Sequence, residues 1–458
     1  MRVIARSSLR IWAVAATLVL LALLAPAQIA RAQAPRLITL AEALTLAAQN
    51  NYTLRVAAFE ATVARAHLAQ AEAVKRGALT LSATYTRINE RPATSIVIPP
   101  GTIPGITDPV IITLPPPDPN VYSVALTYQV PLYTGGRLEA QIALAQANVK
   151  GAEAALERAK QQVILDLKQA YYSVLLAQAG SDVAQRTVAA AEENLRVARA
   201  RVAAGASPRF DEIQADVNLA NARQGLIRSR NSLALAMHGL NAVMSQPLDA
   251  AWQPRETMAM APLRADLAAL LRRALDGRPE LAELRARIAA AQAAIDLARA
   301  GTRPSLALSA GPAYGNSTAG FGLGTAATSG WAVTLAATVT FFDGNLTAER
   351  IKEAEARAGQ LKATEAQLRQ GIELDVRRAL LTHASAAEEL VTADKTIEHA
   401  QEGLRIAAVR FAAGVSTNLE VVLAQAALSQ AEANRIQALF NVNLARAQLE
   451  RAVGGAVE

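Results

Sequence analysis

The 458-residue chain contains no cysteine, and aromatic residues make up only 4% of it although 52% is hydrophobic. The first absence excludes disulfide scaffolds, thiolate metal sites, thiol nucleophiles and a lipid anchor on an N-terminal cysteine. The second makes the apolar mass mostly alanine, leucine and valine, which suits long helices packed along shallow seams better than a core of large side chains. His67, His238, His383 and His399 are scattered singly along helical stretches. Satisfied or solvated helix histidines are therefore expected, and no metal is assigned. His-Glu-x-x-His, a phosphate loop ending in Gly-Lys-Ser/Thr and a Gly-x-Ser-x-Gly elbow are all missing. No catalytic residue, cofactor or enzymatic activity is assigned. Gly320-Phe321-Gly322-Leu323-Gly324 lies between two strand patterns, not ahead of a helix, and reads as an exposed loop.

Arg2, Arg6 and Arg10 precede an apolar run from Ile11 to Leu24, and Ala30-Arg31-Ala32 follows. This is the layout of a secretory signal peptide over residues 1–32, cleaved before Gln33. The run is shorter than the roughly 20 residues that span a bilayer as a helix. Removing it takes four basic residues and no acid, so the net charge falls from +7 to +3. Much of the basic character is thus a targeting device, and no nucleic-acid partner is expected.

Self-comparison shows a duplication. An offset of 227 places Leu40, Leu44, Leu54, Arg76, Leu79 and Leu81 on Leu267, Leu271, Leu281, Arg303, Leu306 and Leu308. An offset of 209 places Gly135, Ile142, Arg201, Gly205, Ser207 and Leu240 on Gly344, Ile351, Arg410, Gly414, Ser416 and Leu449. The repeats are assigned to residues 33–250 and 251–458. The offsets differ by 18, so the first copy carries an insertion of that length between Tyr85 and Tyr128. That stretch is rich in proline, from Pro92 to Pro119, and an irregular loop over about 88–120 is predicted.

Each repeat reads helix, strand, loop, strand, long helix, tight turn, helix. Thr39 with Glu42 forms a capping-box signature that opens a helix predicted to run to about Lys75. From Leu138 through Ile142, Ala145, Val149, Ala152, Leu156 and Ala159 to Val163, apolar residues recur at steps of four and three. That is a coiled-coil seam with alanine at every second position, so that neighbouring helices approach closely. Residues 138–203 form one uninterrupted helix of about 100 Å, long enough for two shorter helices to run end to end beside it.

Tyr122 to Leu132 and Trp331 to Phe341 alternate apolar with small or neutral-polar residues, as do Leu79 to Tyr85 and Leu306 to Tyr314. No charged residue occurs from Pro304 to Phe342. Tyr85, Tyr122, Tyr128, Tyr314, Trp331 and Phe341 stand near strand ends, as interfacial aromatics do in membrane barrels. The fold class is mainly α with membrane β-strands, four per chain. Four strands cannot close a barrel, and open edges in lipid leave backbone groups without partners. Three copies would supply twelve.

The order of elements, the duplication, the opening Ile38-Thr39-Leu40-Ala41-Glu42-Ala43-Leu44 and the turns Val202–Ser207 and Phe411–Ser416 resemble TolC-type outer membrane efflux proteins. The resemblance implies a homotrimer: a 12-stranded barrel in outer membrane lipid, continuing as a helical tunnel into the periplasm. It also implies a periplasmic adaptor (membrane fusion) protein and an inner-membrane transporter of RND, ABC or MFS type as partners in export. Gly205, Ala206, Ser207, Gly414 and Val415 would then form the tip where the adaptor docks. Asp211 and Glu420, just beyond the turns, would line the periplasmic gate with Phe411 and Ser416. Phe411 stands where some relatives carry tyrosine and Ser416 where some carry a gating arginine, so their hydrogen-bonded lock is not expected here. A trimer would nevertheless set three Glu420 carboxylates around one axis, a ring that attracts cations. The alternative class is a periplasmic coiled-coil scaffold, which leaves the uncharged strands unexplained.

Overall fold

Thr39 Oγ1 accepts from the Glu42 amide at 3.3 Å while the Glu42 carboxylate accepts from the Thr39 amide at 2.8 Å, the reciprocal cap the sequence predicts. The computed structural model that shows this describes residues 36–90, 92–114, 116, 118–260, 263, 266–318 and 325–457. The predicted signal peptide and the Gly320–Gly324 stretch lie outside the described residues.

The first helix, α1 (Leu40–Asn50), stops short of the predicted Lys75. Asn51 is extended, and its Oδ1 accepts from the Thr53 and Leu54 amides, opening a separate helix, α2 (Tyr52–Ala73). An asparagine that caps the following turn competes with continuing the previous one. The second repeat breaks at the same place by other means. Pro279 ends α5 (Leu267–Gly277) and begins α6 (Pro279–Arg299).

The long helices α3 (Arg137–Ala203) and α7 (Leu346–Ala412) have 67 residues each, and α4 (Arg209–Val243) and α8 (Asn418–Val453) return from their ends. The predicted seam of α3 is buried or half-buried throughout. On one flank of α3, α2 covers the first part and α4 the last; on the other flank α6 and α8 divide the length in the same way. Beyond them lies α7. The helices therefore make one layer in the order α2/α4, α3, α6/α8, α7.

Eight strands are described. The short β1 (Arg36–Ile38) and β6 (Trp252–Pro254) pair in parallel. The main sheet holds β2 (Ala78–Arg87), β5 (Asn120–Tyr133), β7 (Ser305–Thr318) and β8 (Thr325–Thr338), in that order and antiparallel throughout. The predicted irregular loop contains a hairpin instead, with β3 (Thr94–Ile98) pairing β4 (Val110–Leu114). Pro92, Pro99, Pro100, Pro104 and Pro109 sit outside the two strands, where no ladder amide is lost, and the β-branched residues of the strands pair. β8 also differs from prediction: it starts before Trp331 and ends at Thr338, leaving Phe341 beyond the strand.

At the junction of long and short helices, Ile38, Leu167, Tyr171, Val174, Leu240 and Met244 form a buried cluster. The Tyr171 hydroxyl lies 3.1 Å from the Ile38 carbonyl and 3.2 Å from the Glu256 carboxylate, and burial pushes its pKa up to about 12. Ile372, Val376 and Leu449 do the same in the second repeat with Leu270, Leu281 and Val453.

Candidate functional site: the sheet and the helical tip

Pairing register turns the predicted alternation into continuous rows. Leu79 lies opposite Tyr128, Tyr128 opposite Ala310 and Ala310 opposite Val333. Ala83, Val124 and Tyr314 make a second row on the same face, and Tyr85 faces Tyr122. This apolar face is uncovered, with Leu81 68% and Trp331 80% exposed. The opposite face carries Thr80, Ser82, Thr127, Gln129, Ser309 and Thr334, without charge.

The aromatics gather at two levels. Tyr122 and Tyr314 rings are 6.2 Å apart, and the Tyr85 hydroxyl bonds Asn120 Oδ1 at 2.8 Å. At the end nearer the helices, the Tyr128 hydroxyl donates to the Arg76 carbonyl at 2.8 Å, and Phe341 projects 92% exposed. Tyr128 lies six positions beyond Tyr122 on the same strand, about 20 Å along it, and the tilt of a barrel strand leaves both inside the roughly 25 Å apolar band and its aromatic girdles. Trp331 lies between the levels, opposite Pro312.

At the far end of the long helices both turns close in the same way. Gly205 and Gly414 have φ +69° and +76°. Their amides bond the Val202 and Phe411 carbonyls at 3.0 Å, while the Ala206 and Val415 amides reach the Arg201 and Arg410 carbonyls at 2.9 and 3.1 Å. These paired bonds satisfy the terminal carbonyls, and glycine alone takes the left-handed angle without penalty. Pro208 stands at the N-cap of α4, with no side-chain cap bond among the described residues.

The structure brings the two turns together through a residue that sequence reasoning missed. The Arg201 guanidinium lies 4.4 Å from the centre of the Phe411 ring, and its Nη1 donates to the Phe411 carbonyl at 2.9 Å. The repeat offset that matches Arg201 with Arg410 was the available signal, but which residue each arginine meets is a matter of packing. Asp211 and Glu420 match by the same offset and have unequal surroundings. Glu420 lies 3.8 Å from Arg410, whereas Asp211 makes no ion pair among the described residues, its neighbour Glu212 pairing with Arg199 at 3.2 Å instead. Ser416 Oγ and both polar atoms of the buried Asn418 have no hydrogen-bond partner among the described residues.

A lipid-compatible sheet at one end and two long helices of about 100 Å, each folded back on a shorter one, define a channel-tunnel subunit of the outer membrane. The chain belongs to the outer membrane efflux protein family, which it matches over residues 43–246 and 270–455. It is 25% identical to the cobalt-zinc-cadmium resistance protein CzcC of Cupriavidus metallidurans, over 91% of this chain and 90% of that one. It is 27% identical to the pyoverdine export outer membrane protein OpmQ of Pseudomonas aeruginosa, over 72% of this chain and 69% of that one. The crystal structure of the Campylobacter jejuni CmeC outer membrane channel superposes with a TM-score of 0.75 at 16% identity, covering 92% of this chain and 86% of that one. The protein is thus an outer membrane component of efflux systems, its strands in the membrane and its helices in the periplasm.

Proposed function

We infer that three copies of the chain close one barrel and one helical tunnel, forming a passive duct gated at its periplasmic tip. One observation carries this reading: the sheet and the helical layer are open on the same two sides. β2 is one edge of the sheet and α2, which leads into it, is one edge of the layer; β8 and α7 form the other. Both helical edges carry exposed apolar side chains, Val56, Phe59 and Val63 on α2 against Leu374, Leu381 and Val391 on α7. Along the four strands the chain direction alternates, so β8 of one copy meets β2 of the next antiparallel, as closure requires.

In this reading residues 1–32 direct export and are removed, and the units 33–250 and 251–458 each supply two strands and one helical hairpin. Tyr85, Tyr122, Tyr128, Tyr314 and Phe341 meet the lipid interfaces, and Trp331, predicted among them, instead faces lipid between the two levels. Gly205, Ala206, Ser207, Gly414 and Val415 present the tip to a periplasmic adaptor, and an inner-membrane transporter supplies the energy. Asp211, Phe411, Ser416 and Glu420 surround the mouth, and no catalytic step is involved. The uncharged inner face of the sheet selects for no cargo, in line with relatives named for metal resistance and for pyoverdine export.

Detergent extracts of outer membranes should contain a heat-modifiable trimer that conducts ions in a planar bilayer. A monodisperse single subunit in plain buffer would overturn the reading.

A further inference from the structure

We propose that the cleft between α3, α4 and α8 is a binding site for a small neutral molecule, mostly apolar and carrying one hydrogen-bond acceptor such as a ketone or ester carbonyl. All of its walls come from a single chain, so the site is independent of the trimeric duct inferred above.

The cleft lies where the first helical hairpin meets the returning helix of the second, roughly 15–25 Å along α3 from its turn. Its volume is 250 Å³. An apolar cavity of about 150 Å³ takes a benzene ring, so a substituted ring fits here. Val421, Val422 and alanines from all three helices make most of the wall, and no charged residue lines it. Glu192 and Arg223, each next in sequence to a lining alanine, pair with each other at 2.8 Å, and Arg186, next to Thr187, pairs with Glu432 at 3.1 Å. These pairs tie α3 to α4 on one side and to α8 on the other, and the Thr187 and Ser429 hydroxyls, 3.1 Å apart, add to the second tie. The flanking charges are thereby neutralised, and a charged ligand would find no counter-ion in the wall.

Four carboxamides set this cleft apart from the rest of the helical seam. Asn194, Asn218, Asn221 and Gln425 line it, and none of their side chains makes a hydrogen bond among the described residues. Further along α8 the amides do find partners, Gln430 bonding Asn434 and Gln437 bonding Asn441. Asn218 Nδ2 is buried as well as unpartnered among the described residues. A buried donor without an acceptor is costly, and a carbonyl seated in the cleft would supply one.

The duplication serves as an internal control. At the offset of 209, Asn194 and Asn218 are matched by Gly403 and Ala427, and Ala190 by His399. The second hairpin therefore repeats neither these amides nor this small side chain, and the lining is not a by-product of the repeated fold.

Binding is read by fluorine NMR relaxation of para-fluoroacetophenone added to the purified full-length protein, with protein-free detergent micelles as the blank. The ketone should bind the wild-type protein. N218A should weaken it about five-fold, as expected for loss of one hydrogen bond, and should leave para-fluoroethylbenzene, which lacks the carbonyl, unchanged. A222L, which fills the cleft from α4, should weaken both compounds about ten-fold or more. Para-fluorobenzoate should show no protein-dependent relaxation.

Ketone relaxation that is the same with and without protein, equal ketone affinity in A222L, or an N218A loss shared by para-fluoroethylbenzene would overturn the site. Benzoate binding as tightly as the ketone would overturn its neutral class. If A222L fails to assemble, N218A decides alone, since it truncates a half-buried side chain that makes no hydrogen bond among the described residues. A protein that binds the ketone but never forms a trimer would sink the duct reading and leave the site standing.

Discussion

Gly311 on β7 approaches the carbonyl oxygen of Leu126 on β5 so closely that an added Cβ would sit 1.8 Å from it. These two strands join the halves of the chain into one sheet. G311A should therefore part the sheet at its centre and abolish the heat-modifiable trimer, since no flexible side chain is available to yield. G330A, where nothing among the described residues lies within 4 Å, is the matched control and should assemble normally. Trimer yield in outer membrane extracts reads both.

The turn glycines call for a different outcome. A Cβ at Gly205 or Gly414 meets nothing within 4 Å among the described residues, so substitution strains only the left-handed backbone. A valine there costs about 1–2 kcal/mol, spent at the tip and about 100 Å from the barrel. G205V and G414V should assemble as trimers and lose export. Normal efflux from either would argue against docking at the tip.

How far the sequence alone reaches depends on the range over which each signal acts. Period-two and period-seven patterns span many residues, so the four main strands, the long helices and the capping box at Thr39 were legible. The break at Asn51 was not, because one side chain decides between capping and continuing. The hairpin from Thr94 to Leu114 hid behind the prolines around it, and the end of β8 before Phe341 depends on pairing with β7. At the tip, the turns and the paired acids could be read by offset. The crossing of Arg201 to Phe411 could not, because it joins residues 210 positions apart.

His383 sets a pH dependence. It is buried on α7, its Nε2 has no hydrogen-bond partner among the described residues, and burial, followed by the nearby Arg446 charge, holds its pKa below the ordinary histidine value. Folding thus favours the neutral ring, while the unfolded chain takes up a proton near pH 6.5. Stability should fall as pH drops below that value, by at most about 1.4 kcal/mol per pH unit from this group. Thermal melts of the helical circular dichroism signal at pH 7.5 and 5.5 should show a smaller difference in H383Q. An equal difference would remove His383 as the cause.

Glu420 can be tested by cation block. In a trimer, three copies of this half-exposed carboxylate surround one axis, each only loosely held by Arg410 at 3.8 Å. An exposed pair of that length contributes little to stability, so E420Q should leave the trimer intact while weakening block by divalent cations in single-channel recordings. Unchanged block would place Glu420 off the pore.

The face of the sheet that meets lipid can be told from the other by placing a charge on each. Val333 lies opposite Ala310 in the apolar row, and Thr334, the next residue, points to the other face. An arginine on the lipid side costs about 2–4 kcal/mol at the bilayer midplane, and a trimer would bear that cost three times. V333R should therefore vanish from outer membrane trimers. T334R would place its charge in a water-filled lumen, so it should assemble and shift ion selectivity towards anions. A sheet lying in water would accept arginine at either position, and equal trimer yields from the two variants would show that this face never enters a membrane.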